Sequence, residues 1–471
     1  MNALGYQFAP LWTDWLVYFL VFSGIGFFLY ARRHEHLARP WRQVVRRPLA
    51  MSAALVLLVY IAIGLVDSIH LQEQRKIANS DAVVFSSEKI SLLDIVLTTL
   101  RVQEEKTYSA PFAIQSYAKE TIELPDGGIV REFPRLEYGG IHLDQASDKT
   151  ADIVAKTIRA IAESVAILVL LIVILNFFLA RYYQNSFGRQ LNLLKLGDAD
   201  LPWRSLLLMG FVLTLVSLVI IRLAPYYHVL GTDKVGKDVL YLSLKSIRTG
   251  LVIGSLTTLF VLPFALSLGI MAGYFRGRVD DFIQYLYTTL SSIPSVLLIA
   301  ASVLMIDVYI QNNAEQFATI ADRADARLLF LCLILGITGW VGLCRLLRGE
   351  ALKLREIDYI QASQAFGVSH TRILSRHILP NVMHIILITL VLDFSGLVLA
   401  EAVLSYIGVG VDPSMISWGN MINGARLEMA REPVVWWSLV AAFIFMFLLV
   451  LCANLFADSV RDAFDPRVHG R

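Results

Sequence analysis

Long apolar runs alternate along this chain with polar connections, and within the runs no amphipathic stripe separates a wet face from a dry one. The runs near 12–30, 49–66, 160–180, 205–222, 250–273, 284–307, 328–346, 383–402 and 434–457 predict nine membrane spans. Each approaches the length that a helix rising about 1.5 Å per residue needs to cross a bilayer core, about twenty residues. Two connections are too long to be turns. Residues 67–159 are polar and mixed in charge, and strand-like Ile122-Glu123-Leu124 runs into the turn signal Pro125-Asp126-Gly127-Gly128. Phe112, Tyr117, Phe133, Leu136 and Tyr138 supply apolar mass that a disordered tether lacks, so a small α+β domain is expected there. The second long connection is 347–382.

Composition supports a membrane class: 56% of the 471 residues are hydrophobic and only 17% charged, less charge than soluble domains carry. A net charge of +2 and the lack of basic segments interleaved with aromatics argue against a nucleic-acid partner. Cys332, Cys344 and Cys452 sit inside apolar runs without metal-ligand or disulfide spacing. His34-Glu35-His36 reads as a solvated stretch of a basic loop. No Gly-x-Ser-x-Gly or His-Glu-x-x-His sequence occurs, and no carboxylate pair has a catalytic setting.

Charge placement orients the spans. Arg32, Arg33, Arg39, Arg42, Arg46 and Arg47 face a single acid, Glu35, after the first run. By the positive-inside tendency that loop is cytoplasmic and the N-terminus outside. Arg181, Arg189, Lys195 and Arg204 then lie inside. So do Arg345, Arg348, Lys353, Arg355, Arg372 and Arg376, and the tail with Arg461, Arg467 and Arg471. Residues 67–159 lie outside. The first run has no basic residue before it, so it is not expected to be a cleaved signal.

The connection 347–382 predicts a helix up to Phe366, a stop at Gly367, and a second helix capped by Ser369 that runs to about Ile378 before Pro380. Small Ala362, Ser363 and Ala365 would let another surface approach closely. These residues resemble the EAA loop of binding-protein-dependent ABC importer permeases. Gly367 falls on the loop's glycine, and Leu379-Pro380 on its closing Leu-Pro. Gln361, Ser363 and His377 depart from its Glu, second Ala and Ile. Arg376 to Asn381 is similar to the oligopeptide, dipeptide and nickel branch.

Further segments resemble the second permease type of that branch, in the same order. They are His228-x-Leu230-Gly231-Thr232-Asp233 with Gly236-Lys237-Asp238, then Gly273-Tyr274-Phe275-Arg276-Gly277. Glu401 to Gly410, Ser417-Trp418-Gly419-Asn420-Met421 and Arg461 to Arg467 complete the set. The stretch 231–238 also approaches a phosphate-binding loop, but Asp238 stands where a magnesium-binding hydroxyl is required and no strand precedes it.

The resemblance covers about 205–471. It implies an all-α polytopic protein with a type I ABC importer permease core of six spans, preceded by about three extra spans and a small extracytoplasmic domain. The expected divisions are 1–66, 67–159, 160–204 and 205–471. It implies a permease for peptides or peptide-like solutes in the bacterial inner membrane, with a homologous second permease, two ATPase subunits and an extracytoplasmic solute-binding protein as partners. ATP and magnesium would sit on the ATPases, and this chain would bind no cofactor or metal. Gln361, Ala362, Ser363, Ala365, Gly367, Leu379 and Pro380 would couple to the ATPases. His228, Gly231, Thr232, Asp233, Gly236, Asp238, Gly408, Trp418 and Gly419 would form the external gate or the binding-protein side. Asp393 and Glu401, in an apolar run where ionisable groups mark pathways or polar contacts, are the pathway candidates. Two alternatives are a membrane scaffold or sensor that keeps a permease core, and an intramembrane enzyme.

Overall fold

The computed structural model describes residues 5–76, 83–123, 129–196, 201–317 and 319–464. Among them, nine helices are long and apolar enough to cross a membrane: α1 (Trp12–Arg33), α2 (Pro48–Asp67), α3 (Ala146–Tyr182), α4 (Trp203–Leu223), α5 (Val239–Phe275), α6 (Ser295–Asn312), α7 (Ile320–Arg355), α8 (His370–Tyr406) and α9 (Trp437–Phe464). The fold is an all-helical membrane bundle that carries a small β-containing domain between α2 and α3.

That domain contains a three-stranded sheet, completed by a strand from before α1, that the hydropathy pattern did not separate. β1 (Tyr6–Phe8) pairs antiparallel with β2 (His70–Lys76), and β2 with β3 (Val83–Ser91). β4 (Glu120–Glu123) and β5 (Ile129–Glu132) form a hairpin, and the expected Pro125–Gly128 turn lies outside the described residues. Because β1 belongs to the same sheet as β2, the start of the chain and the 67–159 domain lie on one side of the bundle. Trp437 at the start of α9 packs on this domain side. At the far end of α9, Asp462 accepts from Arg47 at 2.6 Å, so the basic hairpin after α1 lies on the opposite side.

Four features depart from the sequence expectation. The sixth span is not 284–307. A separate helix, Gly277–Ser292, ends before Pro294, and α6 starts at Ser295. Proline has no N–H to donate and restricts the residue before it to extended geometry; Ile293 has ψ 130°. The helix expected up to Phe366 instead stops at Arg355, and a short helix, Asp358–Ala365, follows a turn. Ser369 makes no side-chain cap, and the second helix does not end near Ile378. It is the start of α8, widens into a π-turn over Leu374–Ile378 and runs on to Tyr406. Pro380 explains the turn, since its missing N–H and bulky ring oppose ordinary i−4 bonding one turn earlier.

The central helix is α5, which packs against α2, α7, α8 and α9. Gly269 and Gly273 let α7 approach closely, since a Cβ on either would come within 2.8 Å of the α7 backbone. Buried charges on another stripe of α5 hold the N-terminal additions. Tyr241 donates to Asp94 at 2.8 Å, Lys245 reaches Asp67 at 2.8 Å, and Arg248 reaches Asp14 at 2.6 Å. Asp325 of α7 accepts from the Thr13 backbone N–H at 3.0 Å, and His70 pairs with Asp14 at 2.8 Å. Removing one partner of such a pair strands a buried charge, at about 3–5 kcal/mol. The three free cysteines are buried, as their apolar surroundings imply.

Candidate functional site

Two clusters of motif residues sit at opposite ends of the bundle. On the side away from the small domain, Asp358–Ala365 is held from within by Ile360, which is fully buried among α7 and α8 residues. Its other face is open. Gln361, Ala362, Ala365 and Gly367 are exposed, Ser363 is half-buried, and Phe366 is 87% exposed. Gly367 adopts φ 72°, the left-handed geometry of a helix stop, with no atom near its would-be Cβ. Leu379 is half-buried and Pro380 exposed just after the π-turn of α8.

The Gly273–Gly277 segment props this element. Tyr274 is buried, and its hydroxyl lies 2.8 Å from His370 Nδ1 and accepts from Gln364 Nε2 at 3.3 Å. Arg355 donates to the Tyr274 carbonyl at 2.7 Å. The short helix and the Gly367 turn are thus tied to the ends of α5, α7 and α8 together. The sequence has Gln361 where the resembling loop carries an acid. In the folded chain Gln361 Nε2 donates to the Glu356 carbonyl at 3.2 Å, and the Glu356 carboxylate, paired with Arg276, stands beside it. Neither Glu356 nor the protruding Phe366 stood out in the sequence, because their meaning depends on the break after Arg355.

On the domain side the turn 228–238 is assembled from within. Asp238 caps α5 by accepting from the N–H groups of Leu240 and Tyr241, and its other oxygen lies 2.8 Å from His228 Nδ1. His228 Nε2 lies 3.3 Å from Glu105, whose carboxylate also accepts from the N–H groups of Glu137, Tyr138 and Gly139. Burial pulls His228 down, but the carboxylates of Asp238 and Glu105 outweigh it and push the imidazole up to about 9. Burial likewise acts to raise Glu105; His228 and the three backbone donors outweigh it and bring the carboxyl down to about 2. Thr232 donates to the Thr107 carbonyl at 2.9 Å, and Trp437 Nε1 donates to the Thr232 carbonyl at 2.8 Å. Asp233 accepts from Val235 and Lys237 in a local turn.

Most of the residues expected at the gate or on the binding-protein side are therefore covered. His228, Gly231, Thr232, Gly236, Asp238, Trp418 and Gly419 are buried, Asp233 is half-buried, and Gly408 is exposed. The chain's own 103–117 covers the 228–238 turn, whereas Trp418 packs on Gly250 of α5 and Gly419 on Glu401 and Ser405 of α8. Gly408, at φ 84°, ends α8.

The two pathway candidates separate. Glu401 is buried and accepts from Ser405 at 2.8 Å and Ser417 at 2.9 Å, which ties the end of α8 to the helix Trp418–Glu428. Asp393 is exposed on α8, with no hydrogen-bond or ion-pair partner among the described residues. No cluster of three or more metal-ligating side chains occurs among the described residues.

The fold and site together define a helical membrane bundle with the motif-bearing helix Asp358–Ala365 at one end. The family described as the binding-protein-dependent transport system inner membrane component matches residues 265–470. The oligopeptide transport system permease protein OppC of Mycobacterium bovis is 33% identical over 239 residues, covering 51% of this chain and 76% of that protein. The glutathione transport system permease protein GsiD of Pectobacterium atrosepticum is 31% identical over 241 residues, covering 51% and 73%. A solved MetNI methionine ABC transporter in inward-facing conformations aligns at a TM-score of 0.36 and 16% identity, over 47% of this chain and 97% of that one. The chain belongs to the binding-protein-dependent transport system inner membrane component family, and is a multi-pass inner-membrane permease subunit of an ABC importer, not an enzyme.

Proposed function

We propose that this permease moves peptides or peptide-like solutes, pairing with a homologous permease so that solute crosses at their interface. Both relatives described above carry peptide-type names, which supports the cargo class. The basic ends of the bundle face the cytoplasm, and the 67–159 domain faces outward toward a solute-binding protein. Two ATPase subunits supply ATP and magnesium; this chain binds neither. The observation that carries the proposal is the helix Asp358–Ala365, anchored inward by Ile360 and presenting Ala362, Ala365 and Phe366 outward. Closing of the ATPase pair would displace this helix, and its ties to Tyr274, Arg355 and His370 would pass the displacement to α5, α7 and α8 as a rigid body.

Asp393 supplies the candidate polar group of the pathway. An ionisable side chain exposed at mid-span with no partner among the described residues belongs against a second polypeptide or a wet path. The test is to tag the chain at its C-terminus, extract it from native membranes in mild detergent, and identify what comes with it by mass spectrometry. A second permease with ATPase subunits is the expected result. Repeated recovery of the chain alone, with no binding of added ATPase, overturns the proposal.

A further inference from the structure

The basic hairpin after α1 takes no part in the transport cycle proposed above, yet it is built around an open cleft of about 800 Å³. The helix Glu35–Arg46 follows α1 directly and leads through Arg47 into α2, so both of its ends are fixed at the membrane boundary. One side of it is anchored: Val44 is buried, and the Trp41 ring packs on Phe456 and Phe464 of α9. Between this helix and the end of α1, the cleft combines two chemistries. Phe27, Phe28 and Trp41 give it an apolar wall, and Arg32, Arg42 and Arg46 line the same space.

Along the hairpin itself the charge is one-sided. Glu35 is the only acid from 31 to 47. Among the described residues, Arg32 and Arg42 make no ion pair with a carboxylate; Arg32 lies over the Phe28 ring at 5.9 Å. A ligand that satisfies both walls must bring an anionic group for the guanidinium forks and a hydrocarbon chain for the aromatic wall, at the depth where headgroups sit. Free phosphate leaves the apolar wall unused. A zwitterionic lipid brings no net charge. We infer that the cleft between α1 and the helix Glu35–Arg46 is a binding site for an anionic phospholipid, with the phosphate at Arg32 and Arg42 and an acyl chain along Phe27 and Phe28.

Gly24, on the wall of the cleft, has no atom of the described residues within 4 Å of a would-be Cβ, so a larger side chain there fills the space without displacing described backbone. The experiment uses the full chain in its purified complex, stripped of lipid and titrated with phosphatidylglycerol, phosphatidylcholine or inorganic phosphate. Native mass spectrometry then counts the lipid retained. The wild type should hold phosphatidylglycerol in preference to phosphatidylcholine. Arg32→Gln/Arg42→Gln and, separately, Gly24→Leu should each weaken that retention by about tenfold or more. Arg32→Lys/Arg42→Lys, which keeps the charge, should recover part of it, so simple misfolding would be visible as failure of recovery. Equal retention in the wild type and either disabling variant overturns the inference. So does equal retention of phosphatidylcholine, or displacement of phosphatidylglycerol by inorganic phosphate at similar concentration.

Discussion

The main chain of Glu105 occupies the space that a side chain on Gly236 would need. Its N–H donates to the Gly236 carbonyl at 2.9 Å, and a Cβ on Gly236 would fall 1.6 Å from the Glu105 carbonyl oxygen. Gly236 also adopts φ 82°, where L side chains are strained. The turn before α5 and the inserted domain are therefore one packed unit, joined where the sequence shows two unrelated segments.

Replacing Gly236 with Ala should break that unit. Clash and backbone strain together should cost about 3 kcal/mol or more. Protease cleavage within 103–117 and a lowered Tm are the expected outcomes in purified protein. Gly188→Ala, at a position with no atom within 4 Å, is the control and should leave both unchanged.

The same contact should depend on pH in a defined sense. His228 is raised from 6.5 to about 9, so its contribution is complete below about pH 6.5 and is lost as pH rises through about 9. Glu105 is lowered from 4.5 to about 2, so its contribution is complete above about pH 4.5 and is lost as pH falls toward about 2. Tm of the purified chain should therefore be highest between these limits. His228→Gln should flatten the alkaline limb; an alkaline limb unchanged in that variant contradicts the pairing.

At the other end of the bundle, Phe366→Ala should leave the chain's Tm unchanged, because the ring is exposed, while reducing ATPase recovery in a pull-down. Gly367→Val should uncouple ATP hydrolysis from uptake. Asn tolerates left-handed geometry better than Val, and no neighbour crowds the site, so Gly367→Asn should be the milder change. Equal uptake per ATP in all three would remove the coupling role from Gly367.

Asp393→Asn should lower uptake without loss of the assembled complex, since no hydrogen bond or ion pair among the described residues depends on the carboxylate. Failure of assembly with intact chain folding would place Asp393 in the permease–permease contact instead of the solute path.

Much of this architecture was legible in the sequence because hydropathy records membrane thickness: the nine helices fall on the nine apolar runs, with the sixth displaced beyond Pro294. Gly367 marked a real turn for the same kind of reason, a local backbone demand that few residues meet. What stayed hidden was long-range. The strand Tyr6–Phe8 is three residues long and gains its meaning only from pairing with β2. The cover over His228 and Thr232 comes from residues more than a hundred positions earlier. Phe366 looked like the last apolar residue of a helix until the break after Arg355 turned it outward.

The central claim is tested most directly by reconstituting this permease with its partner permease and ATPases in proteoliposomes and measuring uptake of a labelled peptide delivered by the cognate solute-binding protein. Accumulation should require ATP and fall sharply with Phe366→Ala. Peptide entry at the same rate without ATP, or no entry from a complex that is fully assembled and hydrolysing ATP, would contradict it.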